Sequence, residues 1–339
     1  MTTQDSSIGI KREVTYGTPL AVDAFYEFLE EDFAWQPEFA QGVGQRFGRR
    51  MDAADRRVLV KEMVGGSITL EGFTRGLGKL FEAALGTGTS TLIAGTSFQQ
   101  VFTPTLDDFL PSYTVQKGAA MLGTAAVQPI TFAGCVCSGF ELTASNGGIP
   151  TLKFNFMGRT VDTVAALATP AYIANNELYS FVHGSLRIGG TVVPPTNTAL
   201  ASGGTVAANV TEFGLTWDNG LDADGFYLGG AGRRGRRNAL GMRKATGTLT
   251  AEYDNNVLRD AWLNQSDLAI VLTFARTNII SGTSVPTLQV VIPNVRLDGD
   301  LPMSSGATVT TQSVSFTVLD NRVAAHPLTV AIVTAETGI

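Results

Sequence analysis

The residues best suited to nucleophilic or metal chemistry are two cysteines, Cys135 and Cys137, and two histidines, His183 and His326. Two positions apart on a strand, the thiols point to one face, which is poor geometry for closing a disulfide over so short a loop. That spacing predicts a pair of buried thiols in a reducing compartment. Neither histidine has a metal-ligand pattern beside it, and no spacing supports a Ser-His-Asp triad. Gly42-Val43-Gly44-Gln45-Arg46-Phe47 opens like a dinucleotide-binding turn, but Phe47 stands where the third glycine is needed and a basic loop surrounds it. The adjacent acids Asp107-Asp108 and Glu30-Glu31-Asp32 read as solvated rims. The expectation is therefore a protein without enzymatic chemistry, metal or cofactor.

Arginine is the residue that clusters. Arg46, Arg49, Arg50, Arg56 and Arg57 fall in one loop, and Arg233, Arg234, Arg236 and Arg237, followed by Arg243 and Lys244, in another. Three readings are open. The dense run at 232–237 could contact nucleic acid, although no aromatic residue interleaves within it and the chain carries a net charge of −6. Either loop could be a solvated flexible segment. The preferred reading is docking onto acidic surfaces of neighbouring subunits, because guanidinium forks suit carboxylates and acids precede each loop, at 23–32 and 212–224. On that reading, reversing Arg233, Arg234, Arg236 and Arg237 to Glu leaves a folded monomer unable to assemble.

The elements that position these loops occur twice. Gly66-Ser67-Ile68-Thr69-Leu70-Glu71 followed by Leu77, Leu80 and Phe81 corresponds to Gly247-Thr248-Leu249-Thr250-Ala251-Glu252 followed by Leu258, Ala261 and Trp262. The offset from Gly66 to Gly247 is 181 residues and is ungapped as far as Phe81 and Trp262. Alternation in the first six residues predicts a strand, and the change to three-and-four spacing predicts a helix. The six apolar residues form the predicted packing faces of those helices. Two copies at constant offset predict a duplicated fold, each half running acidic segment, basic loop, strand, helix, further strands.

With 339 residues, 44% of them apolar, the chain can build two substantial cores. No run reaches the roughly 18 apolar residues of a membrane span, and the first residues lack a signal-peptide pattern. The reading is a soluble protein made in the cytoplasm. Charged residues are sparse, at 16%, which favours subunit burial over a fully solvated surface. Strands are predicted at 25–29, 58–60, 130–137, 151–157, 210–217, 268–274, 288–292 and 309–319. Helices are predicted at about 74–85 and within the stretch 248–263. Residues 86–130 read as loops between short strands, and the apolar run 328–333 has no counterpart in the first half.

The opening Ser7-Ile8-Gly9-Ile10-Lys11-Arg12-Glu13-Val14-Thr15-Tyr16-Gly17-Thr18-Pro19 resembles the start of tail tube (major tail) proteins of long-tailed bacteriophages. Residues 295–309 with 313–319 are similar to the last hairpin of that fold. The resemblance covers most of the chain through loose motifs and carries no catalytic residue. It implies a mainly β protein with short helices: two tandem tail-tube-type β-sandwich or barrel units, each flanked by an α-helix. The units are expected at 1–165 and 183–339, the second with a C-terminal extension, with a linker at 166–182. It further implies a structural virion protein of the phage tail, assembled in the host cytoplasm. Its partners would be itself, a tape-measure protein, a tail terminator and distal tail proteins, with DNA passing through the lumen without specific binding. With the duplication, the expected ring is a homotrimer of pseudo-six-fold symmetry, with both arginine loops bridging rings. The alternatives are the tube of a contractile tail or secretion system, marked by a sheath, a β-rich receptor-binding module, and a β-sandwich enzyme acting on glycans.

Overall fold

The computed structural model describes residues 5–124, 126–207, 209–299, 301 and 309–339. In the first half, β1 (Ser7–Arg12), β2 (Ala24–Tyr26), β3 (Glu30–Glu31) and β4 (Ala34–Gln41) precede the long β5 (Arg57–Glu71). Helix α1 (Gly78–Leu85) follows, then β6 (Gly86–Ala94), β7 (Ser97–Pro104), β8 (Tyr113–Ala120), β9 (Val127–Ser145), β10 (Thr151–Gly158) and β11 (Thr160–Asp162). In the second half come β12 (Gly184–Ile188), β13 (Val192–Val193), β14 (Ser202–Gly203), β15 (Val210–Asp218) and β16 (Lys244–Glu252). Helix α2 (Val257–Leu263), β17 (Leu268–Ala275), β18 (Thr287–Gly299), β19 (Thr311–Val318) and β20 (Thr329–Thr334) complete it. The fold is mainly β, with two short helices and large antiparallel sheets.

Strand pairing follows one order in both halves. In the first, β1 pairs β8, β8 pairs β9, β9 pairs β10, β10 pairs β5, and β5 pairs β3 and β4. In the second, β12 pairs β17, then β18, β19, β16 and β15 in turn. The registers also agree. Gly66 lies opposite Phe156 and Glu71 opposite Thr151, just as Gly247 lies opposite Phe316 and Glu252 opposite Thr311. A glycine facing a phenylalanine gives the ring room; a Cβ built on Gly247 would come within 2.2 Å of the Phe316 ring.

Two ladders join the halves. Strand β15 pairs with β9 from Glu212–Ser145 to Asp218–Gly139, and β20 lies between β18 and β7. The run at 328–333 is therefore a wholly buried central strand linking the halves. At the first junction a buried polar node fixes the fit. Trp217 Nε1 donates to Asn219 Oδ1 (2.9 Å), and Asn219 Nδ2 donates to the carbonyls of Ala84 (2.7 Å) and Cys137 (3.2 Å). Helix α1, which otherwise packs within its own half, is thereby tied to the second half through its last turn.

Several expectations shift. The predicted helix over 74–85 starts four residues later, because the segment from 174 to 179 takes its first backbone groups. Thr74 N–H donates to Glu177 O and Arg75 N–H to Asn176 Oδ1, and Gly76 turns the chain with φ 90°. Gly86 ends the helix in the left-handed conformation, φ 92°, as expected of a C-terminal glycine. The strand expected at 25–29 stops at Tyr26. Residues 86–130, read as loops between short strands, hold the three eight- or nine-residue strands β6, β7 and β8 and the start of β9. Their Gly/Thr composition is that of a paired ladder, with the Thr87 and Thr103 hydroxyls 2.8 Å apart across it and Phe102 buried beneath. Part of the closing hairpin, at 300 and 302–308, lies outside the described residues.

Candidate assembly surfaces

The first arginine set occupies the tip of the β4–β5 hairpin, which projects from the sheet and is exposed along almost all of β4 and the start of β5. Arg46, Arg49, Arg50, Arg56 and Arg57 are all exposed there. The tip is internally braced: Arg56 Nη1 donates to Gly44 O (2.9 Å), Gln41 Nε2 to Ala53 O (2.9 Å), and the Arg57 guanidinium lies 4.9 Å from the centre of the Phe39 ring. These contacts leave Arg46, Arg49 and Arg50 as an outward cationic rim.

The second set is folded onto the first half. Arg233 Nε donates to Glu62 Oε2 at 2.9 Å, on the stem of the hairpin, and Glu62 N–H donates to Gly232 O at 2.7 Å. Burial opposes the charge on Glu62, yet the hydrogen bonds from Arg233 and Thr160 hold its carboxyl below the ordinary carboxylate range. Arg234 is 1% exposed; it donates to Ala223 O (3.1 Å) and stacks 5.3 Å from the Phe226 ring centre. Arg236 pairs with Asp222, whose carboxyl is held low first by that bond. Arg237 donates to Leu110 O (3.0 Å) and lies over Phe109. Lys61 meets Phe226 at 5.3 Å on the same stem. The loop at 226–237 thus buttresses the hairpin that carries the first set. Reversing all four arginines would bury a carboxylate at 234 beside Asp222, so the clean folded monomer expected of that variant does not follow.

The six predicted helix-face residues all pack inward. Leu77, Leu80 and Phe81 are buried, with Phe81 edge-on to Phe140 (5.5 Å) and Phe154 (5.4 Å). Ala261 is buried, and Leu258 and Trp262 are partly buried against the same core. Cys135 and Cys137 are buried and unbridged. Burial pushes the Cys137 thiol up to about 12, and burial together with the nearby Glu13 charge raises Cys135 as well. His183 serves its own turn, its Nδ1 2.9 Å from Ser180 Oγ.

What sequence reasoning missed is an exposed aromatic edge. Trp35 and Phe39 on β4 are 43% and 45% exposed and touch edge to face at 6.4 Å. The only sequence signal is Trp35 itself, one of three tryptophans, in a segment too short to show a period. Among the described residues, no helix is long and apolar enough to cross a membrane.

The geometry is that of a β scaffold with an open strand edge and a braced cationic hairpin. No curated protein matches the chain. A family model described as phage tail tube protein matches residues 3–318, nearly the whole length. The chain belongs to the phage tail tube protein family and is a structural component of the virion.

Proposed function

We propose that three copies of the chain close into a ring of pseudo-six-fold symmetry, each half (1–165 and 183–339) supplying one position, and that rings stack into the tube through which phage DNA enters the host. The observation that carries this reading is the repetition of one strand order, in matching register, in both halves of the chain. One chain then offers two quasi-equivalent wall segments, already joined through β9 and β15. A tape-measure protein, a tail terminator and distal tail proteins would meet the tube along its lumen and at its ends.

Stacking falls to the β4–β5 hairpin. Its tip places Arg46, Arg49 and Arg50 in solvent, with Arg56 and Arg57 bracing it, and Arg233 holds its stem through Glu62. Arg234, Arg236 and Arg237 act on stacking indirectly, by keeping the buttress folded. Negative-stain imaging of the purified protein tests this, with Arg46, Arg49 and Arg50 all changed to Glu. The expected outcome is rings that no longer elongate, at unchanged thermal stability. Tubes of normal length from that variant would remove the hairpin tip from the stacking contact.

A further inference from the structure

The hairpin tip is apolar as well as cationic. Val43, Phe47 and Met51 stand among its arginines, and each is at least 82% exposed. The bonds from Arg56 to Gly44 O and from Gln41 to Ala53 O brace the loop, so it presents these side chains to solvent as one surface. Single exposed apolar residues are ordinary, but three on one braced tip mark a place of contact.

The second half holds an open cavity of about 250 Å³ beside β12, β15 and β17. Phe181, Leu186, Phe213, Leu272 and Phe274 wall it, and the exposed Glu212 stands on its rim. No lysine or arginine is among the described residues that line it. Two further exposed acids lie beside the rim at Asn209, whose Nδ2 donates to Asp254 Oδ2 (2.6 Å) and whose carbonyl accepts from Glu252 N–H (3.0 Å). A dry cavity of about 150 Å³ walled by Leu, Ile and Phe takes up benzene, so this one has room for a phenylalanine ring. In the first half the matching position is charged. Glu31 lies opposite Ile68 as Phe213 lies opposite Leu249, and it pairs with Lys117 at 3.1 Å.

Tip and cavity stand at opposite ends of the same strands. Glu71, at the far end of β5 from the tip, lies opposite Thr151, Thr151 opposite Thr143, and Thr143 opposite Gly214. Phe213 and Glu212 come next beyond Gly214, so the cavity mouth is at the Glu71 end, about 50 Å of extended strand from Arg57. Resting on the stacking reading above, we infer that Phe47 of one copy enters this cavity in a second copy stacked head to tail on it, with the arginines of the tip over Glu212, Glu252 and Asp254. The buried ring anchors the contact, and the opposite charges orient it. The occupant is a copy of this chain because an apolar, cationic tip and an apolar, acidic mouth complement each other and lie on the two ends that stacking brings face to face.

Two experiments test it. Phe47→Ser is expected to fold and form rings as the parent does, and to raise the concentration needed for tubes about tenfold or more, the weight of a lost aromatic anchor. Gln45→Cys with Thr211→Cys keeps Phe47 and sets one thiol on the tip and one at the mouth, while Cys135 and Cys137 stay buried. A short bis-maleimide is expected to join such chains into a ladder of covalent multimers in tubes, and to leave Gln45→Cys alone unlinked. Parental tubes at parental concentration from Phe47→Ser, or tubes in which positions 45 and 211 never link, overturn this docking. The stacking reading survives either result if changing Arg46, Arg49 and Arg50 together to Glu still stops elongation, and falls with it if that variant also elongates.

Discussion

At the scale of single residues, the two arginine sets have opposite roles despite equal density in the sequence. Arg234 has left water for a site made of the Phe226 ring and the Ala223 carbonyl, and burial lowers its affinity for the proton. Arg234→Glu would put a second carboxylate beside Asp222 in that site. The expected loss is about 3–5 kcal/mol, the usual cost of an uncompensated buried charge, read as a drop in urea midpoint. Arg49→Glu, on the exposed rim, should stay within about 0.5 kcal/mol of the parent chain. Equal midpoints for the two variants would contradict the assignment. The clustering of arginines is legible from the sequence, but their separate fates are not. Glu62, Phe109 and Leu110, which hold the second loop, lie more than a hundred residues away in the chain, and charge pattern carries no information about so distant a partner.

At the scale of elements, the repeated strand and helix are legible because each has its own period. The strand lies where the spacing puts it and the helix ends there, at Leu85, with Leu77, Leu80 and Phe81 facing a core of Phe140 and Phe154. The copies are unequal in depth. Phe81→Ala should cost about 3–5 kcal/mol, as expected for a fully buried aromatic, whereas Trp262→Ala, at a partly buried position, should cost clearly less. Thermal melting of the two variants decides this, and a larger loss at Trp262 would contradict it. The start of α1 is not legible, because helical spacing continues back to Thr74 while the competing bonds come from Asn176 and Glu177. The ladder at 86–120 is hidden for a similar reason. Glycine and threonine mark a loop by composition, and only pairing with β20, at the far end of the chain, makes β7 a central strand.

At the scale of the whole molecule, 18 strands form one sheet whose halves are locked by β9–β15 and β20, and the Arg233–Glu62 ion pair spans the two halves directly. Asp23, opposed by burial but bonded to Lys79 and Lys11, Glu62, bonded to Arg233, and Asp222, bonded to Arg236, all have carboxyls held below their ordinary values. A depressed carboxylate contributes stability that is present above its unfolded value, about 4, and is lost as pH falls through the folded one. Melting temperature should therefore be level from pH 7 to about pH 5 and fall below about pH 4. Glu62→Gln should flatten part of that fall, and an acid limb unchanged in that variant would remove the Arg233 latch from the account.

The central claim is that two quasi-equivalent halves make each chain two parts of a six-part ring. Cryo-electron microscopy of assembled tubes, reconstructed without imposed symmetry, tests it most directly. The expected result is three chains per ring, three-fold symmetry, and alternating junctions of which one is the β9–β15 ladder. Six chains per ring related by true six-fold symmetry would contradict it.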